Sequence, residues 1–342
     1  MTHTPLVSVI MPVFNAGFFI NTAIESLLTQ TLDDIEIILV NDASTDNSLD
    51  IIKSYAKKDS RVTFINSKHN IGAGAARNLG IKNANGQYLT FMDADDYIEP
   101  DVYKKAFLLA DKSGADEVVW GLTEEHYDKN GNHKKSLKIM PENKVCISTK
   151  SKMDSILRLE AQTLFGYQWN SLYKTEIIAN NNISFEKVFL YEDFFFNLSV
   201  AKKIKTLATI SSTGYHYFKR VNNSITNQFC KEYYSLSYRR ISEMLSFFEQ
   251  NNSVSPEVYK VLGERFLRYT LSAICQNFSK HANMDTAEQK HWFLKCCDAP
   301  LCQKLLPKAK TFNPVYSVLR HSLMSKKPFT AFTLARAISA IK

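Results

Sequence analysis

The sequence predicts an α/β fold in which a mostly parallel sheet is flanked by helices, followed by a helical C-terminal appendage. Three observations carry this. Short apolar runs alternate with helix-spaced segments from the N-terminus to about Trp120, the runs end in clusters of polar and acidic residues, and beyond Cys230 the apolar spacing is helical.

Leu6 to Met11 is a short apolar strand, and Gly17 to Gln30 carries Phe19, Ile20, Ala23, Ile24, Leu27 and Leu28 at helical spacing. A second strand, Ile35 to Val40, runs into Asn41-Asp42-Ala-Ser44-Thr-Asp46, after which come a helix over Asn47 to Lys57 and a strand over Val62 to Ile65. A glycine-rich turn, a helix around Gly74 to Asn83 and the strand starting at Tyr88 complete the series. In a parallel sheet with covered faces, ligands sit at the carboxyl ends of the strands. Those ends carry Pro12 to Asn15, Asp42 to Asp46 and Asp93 to Asp96, so three polar exits are expected to converge on one crevice.

The last exit is the most informative. Tyr88-Leu-Thr-Phe-Met runs straight into Asp93-Ala-Asp95-Asp96. Carboxylates this crowded repel one another unless a cation neutralises them, and oxygen ligands alone favour Mg²⁺ or Mn²⁺. The plain alternative is that they precede the helix expected to begin near Pro100.

Gly121 to Thr149 is polar and irregular, consistent with a surface hairpin or a flexible acceptor loop, and Ser151 to about Ser224 forms a second half, expected to receive the acceptor. Helices follow at Tyr233 to Gln250, Pro256 to His281 and Thr286 to Cys297, then two shorter basic segments. The organisation expected is a domain over 1–226, with halves 1–120 and 121–226, and a basic helical region over 227–342.

Six stretches occur in a defined order: Val9-Ile-Met-Pro12-Val-Phe-Asn15; Val40-Asn-Asp42-Ala-Ser44-Thr-Asp46; Asn70-Ile-Gly72-Ala-Gly74-Ala-Ala-Arg77-Asn78-Leu-Gly80; Met92-Asp93-Ala-Asp95-Asp96; Trp169-Asn170-Ser-Leu-Tyr-Lys174; and Glu192-Asp193. Each alone is a weak pattern. Together they resemble the family 2 inverting glycosyltransferases of the GT-A fold, of the type that builds bacterial surface polysaccharide and lipopolysaccharide, strongly over Pro5 to Trp120 and more weakly over Trp169 to Ile225.

The resemblance implies that Pro12, Val13 and Asn15 lie along a nucleoside and that Asp42 accepts a hydrogen bond from the base. A carboxylate suits the N3–H of uracil, which cytosine lacks. It also implies that Arg77 holds the base or phosphate side, that Asp93 meets the ribose or the metal, and that Asp95 is the main protein ligand of Mn²⁺ or Mg²⁺. Asp193, within Tyr191-Glu192-Asp193-Phe, would be the general base, with Glu192 on the acceptor side. A late loop from Tyr215 to Thr226 would close over the donor phosphates, with Arg220 on the diphosphate and His216 a candidate metal ligand. Trp169 and Asn170 would shape the acceptor pocket, although a tryptophan there is equally suited to the core.

Gly72-Ala-Gly74-Ala-Ala-Arg77 also matches part of a dinucleotide fingerprint. Arg77 stands where the glycine for close helix–strand packing is needed, and the run follows the third strand rather than the first, which argues against a nicotinamide or flavin enzyme.

No apolar run reaches the roughly 18–20 residues needed to span a bilayer, and no basic segment followed by a long apolar core suggests a secretory signal. Six scattered cysteines suggest reduced thiols and a cytoplasmic protein. The net charge of +8 is unevenly placed: residues 1–230 hold 25 Lys and Arg against 26 Asp and Glu, and residues 231–342 hold 17 against 8. After Asp298 there are eight Lys or Arg and no acid, interleaved with apolar residues from Leu301 to Ile338. Such helices suit an anionic membrane surface, here the inner face of the cytoplasmic membrane, or else pack on their own domain with the cations in water. Nucleic acid is not an expected partner, since no recognition motif is present.

The function expected is metal-dependent, inverting transfer of a hexose or N-acetylhexosamine from a UDP-sugar to a hydroxyl of a growing lipopolysaccharide or capsular glycan, the acceptor being a glycan or glycolipid. The alternatives are a nucleotidyltransferase that makes sugar nucleotides, which would want a glycine-rich basic loop where Pro12-Val-Phe-Asn15 stands, and a non-catalytic glycan-binding protein with the same fold.

Overall fold

Ser8 and Ile10 on one face, and Val7, Val9, Met11 and Val13 on the other, are all buried, as a parallel strand covered on both faces requires; they form β1 (Val7–Val13). The computed structural model describes residues 3–220 and 229–341, in two compact units, Met1–Asn223 and Ser224–Lys342. The expected boundary at 226/227, and the end of the late loop from Val221 to Thr226, lie outside the described residues.

The first unit continues with α1 (Ile20–Leu28), β2 (Ile35–Asn41), α2 (Ser48–Lys58), β3 (Val62–Asn66), α3 (Ala73–Asn83), β4 (Tyr88–Phe91), β5 (Tyr97–Ile98), α4 (Val102–Ser113), β6 (Glu117–Tyr127), β7 (His133–Ile139), β8 (Lys144–Cys146), α5 (Thr149–Ala161), β9 (Ser171–Lys174), α6 (Thr175–Asn180), α7 (Glu192–Ala201) and β10 (Leu207–Lys219). The sheet order is β3-β2-β1-β4-β9-β6-β10-β5, with β7 on β6 and β8 on β10. β3-β2-β1-β4 pair in parallel, as do β6 and β10, while β7 runs antiparallel on β6. β9 joins the two parallel groups by short antiparallel ladders to β4 and β6. The expected α/β architecture with a mostly parallel sheet is therefore present.

Two expectations shift for physical reasons. The first helix starts at Ile20 rather than Gly17, because the amides of Ala16 and Gly17 donate to Ser48 Oγ (2.9 Å) and Asp46 Oδ2 (2.9 Å) of the neighbouring loop. The stretch from Gly121 does form the expected hairpin, but a regular one: it belongs to β6, which starts at Glu117, and to its antiparallel partner β7. The turn between them is made by Asp128, whose carboxylate accepts from the amides of Asn130 and Asn132 (both 2.9 Å), with Gly131 at φ 79°.

α3 lies against β1 and β2, and its contact is set by Gly80. A Cβ at this position would stand 2.2 Å from Ile10 Cγ2. Gly80→Ala is therefore expected to destabilise the unit by about 1–3 kcal/mol, the usual cost of overpacking. Urea unfolding measures it, and an unchanged midpoint would contradict the packing described.

The second unit holds α8 (Tyr233–Gln250), α9 (Pro256–Asn277), α10 (Thr286–Asp298), α11 (Pro300–Leu305), α12 (Pro314–Met324) and α13 (Pro328–Ile341). The basic tail makes three helices rather than two, each opening on a proline, whose missing N–H costs nothing in a first turn. No helix among the described residues is long and apolar enough to cross a membrane.

Candidate active site

The crevice is built at the carboxyl ends of β1, β2 and β4. The loops after β1 and β2 are knitted together by Asn15, which takes φ 49°: its side-chain oxygen accepts from the Thr45 amide (2.8 Å), and its own amide donates to Ser44 Oγ (3.0 Å). Val13 is buried and its carbonyl accepts from the Asp42 amide (2.8 Å), while Pro12 is half-buried. Asp42 is itself buried. Its two oxygens accept from the amides of Ile71 (2.7 Å) and Gly72 (2.9 Å), which fixes the turn into α3, and each oxygen keeps a second lone pair. Gly72 sits at φ 86°, a conformation glycine adopts without strain.

One turn into α3, Arg77 is 4% exposed and gathers the acids. Its Nη2 donates to Asp93 Oδ1 (2.8 Å), its Nη1 donates to Asp193 Oδ1 (3.1 Å), and Glu192 lies 3.9 Å away. Arg77 is thus turned inward onto three carboxylates, with both terminal nitrogens engaged, rather than outward toward a donor. Oriented by these neighbours, the Gln168 amide donates to both Asp193 oxygens (3.0 and 3.2 Å) and accepts from Arg77 Nη2 and Nε (2.8 and 3.1 Å).

The residues that bring Asp193 here are largely aromatic. Phe196 of α7 stacks on Phe185 (4.1 Å) and meets Phe91 of β4 edge-on (5.5 Å), so the helix carrying Asp193 is packed on the strand that delivers Asp93. Asn78 of α3 clasps the Phe185 backbone in both directions: its Nδ2 donates to the Phe185 carbonyl (2.9 Å), and its oxygen accepts from the Phe185 amide (2.8 Å). Tyr191, just ahead of α7, holds φ 68°, a strained conformation for a bulky residue.

Burial pushes the Asp193 carboxyl up to about 8; Arg77 opposes this, and Glu192 and Asp93 add repulsion. Burial also raises Glu192, again against Arg77. Asp95, half-exposed at the mouth, is raised by burial and by Asp93; it is paired with Arg220, whose Nη1 donates to its Oδ2 (3.0 Å). The Arg220 guanidinium also lies over the Phe19 ring (4.0 Å), so this residue reaches from the end of β10 to the loop after β1. Asp96 is buried and raised well above the carboxylate range by desolvation and by Asp95 and Asp93. The Tyr215 hydroxyl donates to Asp96 Oδ2 (2.9 Å) and accepts from the Asp93 amide (3.2 Å).

Four expectations need correction, the first being Arg77, which was expected on the base or phosphate side of the donor and is instead engaged by Asp93 and Asp193. His216 is not placed as a metal ligand: strand alternation sends it away from Tyr215, and its ring nitrogens face Glu125 (3.0 Å) and Glu99 (3.4 Å). Trp169 does not line an acceptor pocket, being 2% exposed and stacked between Tyr215 (4.0 Å) and Tyr167 (4.5 Å). Asn170 is buried, and its Nδ2 donates to the carbonyls of Trp120 (3.0 Å) and Leu164 (3.1 Å), joining β6 to the segment before β9. Gln168, Phe185 and Asn78 also belong to the site, beyond the residues the motifs point to. Gln168 directly precedes the Trp169-Asn170 motif and Asn78 lies inside the glycine-rich one, whereas nothing in the sequence marks Phe185.

For a divalent cation, the side chains at hand are Asp95 and Asp93. Among the described residues no three His, Cys, Asp or Glu form a cage. Two carboxylates fit an ion of the Mg²⁺ type, which keeps waters and takes the rest of its ligands from substrate phosphates.

The family model described as Glycosyl transferase family 2 matches residues 8–180. The chain is 37% identical over 224 residues to the uncharacterized glycosyltransferase EpsJ of Bacillus subtilis, covering 65% of this chain and 63% of that protein. It is 29% identical over 313 residues to the putative glycosyltransferase EpsH of the same organism, covering 90% and 88%. Among solved structures, S. aureus TarS 1–349 in complex with UDP-GlcNAc superposes with a TM-score of 0.68 at 21% identity, covering 98% of this chain and 92% of that one, a likeness of fold.

Proposed function

The chain belongs to glycosyl transferase family 2, and from that premise we propose that it transfers a hexose or N-acetylhexosamine from a UDP-sugar to a hydroxyl of a surface glycan, with inversion at the anomeric carbon and with Mn²⁺ or Mg²⁺. The observation that carries the chemistry is the environment of Asp193, a carboxylate at the start of a helix, oriented by Gln168 and Arg77 and raised into the range useful for a base.

In this reading the acceptor oxygen attacks the anomeric carbon and its proton passes to the remaining lone pair of Asp193 Oδ2. The bond between that carbon and the diphosphate oxygen breaks, and the electron pair leaves with UDP. A cation held by Asp95 and Asp93 would supply charge stabilisation of the leaving diphosphate. Arg220 offers a second positive charge at the same mouth once its pairing with Asp95 is exchanged for phosphate. Asp42 and the Pro12–Asn15 segment take the uridine side, and Glu192 the acceptor side. A lipopolysaccharide or capsular acceptor, and a place on the inner face of the cytoplasmic membrane, rest on the family and on the basic C-terminal helices.

Because Asp193 accepts a proton only when ionised, kcat/KM is expected to rise with pH through about 8. A profile that stays flat from about pH 6 to 9 would remove it as the base. The donor is identified by incubating the protein and Mn²⁺ with a panel of UDP-, GDP- and nucleoside monophosphate-linked sugars: hydrolysis confined to UDP-sugars supports the proposal, and turnover of another class alone overturns it.

A further inference from the structure

The acid-free C-terminal stretch divides in two once folded. Leu301, Leu305, Leu306, Leu319 and Leu323 are all buried, so the leucine stripe that suggested a lipid-facing helix closes the core of its own unit. A different apolar set is left outside: Phe312 is 89% exposed, Phe329 81%, Met324 49% and Val318 41%. Pro314, Val318, His321 and Met324 are exposed along one side of α12, opposite the buried Leu319, Ser322 and Leu323. Phe312 stands just before that helix, and Phe329 follows the turn after it. Single exposed apolar residues are ordinary, but two nearly bare phenylalanines flanking one helix with a half-apolar outer side, Phe312 just before α12 and Phe329 in the first turn of α13, are not.

The charges carried by α12 and by the turns on either side of it have one sign, and the acids nearby are Asp298 and Glu264 of other helices, the latter accepting from Thr311 Oγ1 (2.8 Å). Lys308 and Lys310 lie beside Phe312, and Lys326 and Lys327 beside Phe329, all exposed. Lys326 is paired with Asp298, and Lys308 lies over the Tyr259 ring (4.7 Å). No acidic residue follows Asp298, so α12 itself carries nothing that an anionic surface would repel.

We propose that the outer face of α12, with Phe312 and Phe329 as its apolar anchors and Lys310 and Lys327 as its cations, docks on an anionic phospholipid bilayer. Phenylalanine rings enter the boundary between headgroups and acyl chains while lysine ammonium groups stay with the phosphates, which is how interfacial helices are held. The inference deepens the peripheral placement proposed above, and it is independent of the transfer chemistry, since it rests on the helical unit alone.

The test is flotation of the full-length chain with vesicles of equal parts phosphatidylglycerol and phosphatidylcholine, and with vesicles of phosphatidylcholine alone. The intact protein is expected to float with the anionic vesicles and to bind the neutral ones at least about tenfold more weakly, the anionic binding falling as salt is raised. Phe312→Ser/Phe329→Ser is expected to weaken anionic binding about tenfold, and Lys310→Gln/Lys327→Gln to weaken it and flatten its salt dependence. These side chains are exposed, so thermal melts and UDP-sugar hydrolysis of the variants should match the intact protein. Failure of hydrolysis in all proteins would thus count against the enzymatic reading without touching this one. Undiminished flotation of the phenylalanine variant, equal binding to both vesicle types, or loss of a dimer by that variant with unchanged flotation would overturn the proposal, the last assigning the face to a second copy of the chain.

Discussion

Asp193→Asn is expected to lower the rate of sugar transfer by about 10²–10⁴-fold, the usual contribution of a positioned general base, while leaving UDP binding within about twofold. The asparagine oxygen, placed at Oδ1, can still accept from Arg77 and from Gln168, so the site should largely keep its shape, but it offers no basic oxygen. The same substitution should not cost stability above neutrality. An acid whose folded pKa is raised to about 8 from an unfolded value near 3.9 favours the folded state fully only below the unfolded value. That contribution is lost as pH rises from about 4 to 8. A neutral asparagine escapes this loss, so the melting temperature at about pH 8 is expected to equal or exceed that of the parent. Activity lost with stability kept separates removal of a base from collapse of the site. Near-normal turnover in this variant would end the assignment.

Asp95→Ala is the second large effect. Asp95 is the most exposed acid of its cluster and is raised by burial and by Asp93, so a cation brought with a diphosphate relieves repulsion there. Without Asp95, the increment in UDP affinity that Mn²⁺ confers is expected to fall by at least about tenfold, measured by titration calorimetry with and without the ion. Binding without metal should change far less, since the contacts through Asp42 and the loops after β1 and β2 are untouched. A metal increment equal to that of the parent protein would show that the ion is held elsewhere.

The sequence was most readable where local pattern and chemistry coincide. Apolar runs such as Val7–Val13 and Ile35–Asn41 are buried on both faces, and this burial is what makes parallel strands legible as unbroken hydrophobic stretches. Asp42, Asp93 and Asp193 are conspicuous in the sequence because each is a carboxylate directly beside a buried apolar run. Sequence alone could not show their joining by Arg77, since a guanidinium in a helix reads equally as a surface residue, and only the fold places residue 77 within hydrogen-bond reach of residues 93 and 193.

His216, Trp169 and Asn170 misled for one shared reason. They are polar or amphipathic residues inside motifs, and motif membership does not distinguish a side chain that meets a ligand from one that holds the frame. Trp169 stacks on Tyr215, whose hydroxyl meets Asp96 and the Asp93 amide, so it supports the acids from behind. Gln168, one residue earlier, is the one that touches Asp193. In the C-terminal region, periodicity identified a leucine stripe but could not say whether it faced protein or lipid, and burial of Leu305 and Leu319 beside the exposure of Phe312 and Phe329 makes that division.

One crevice, bounded by Asp42 on one side of the α3 N-terminus and by Asp93, Asp95 and Asp193 on the other, is proposed to receive the donor nucleotide and a divalent cation together. A crystal structure of the protein with UDP and Mn²⁺, with the metal located by its anomalous scattering, tests this most directly. Uracil is expected against Asp42, the ion between the diphosphate and Asp95, and the Asp193 carboxylate facing the space beyond the terminal phosphate where an anomeric carbon would lie. Electron density for UDP outside that crevice, or a metal with no carboxylate from Asp93 or Asp95 in its coordination sphere, would contradict it.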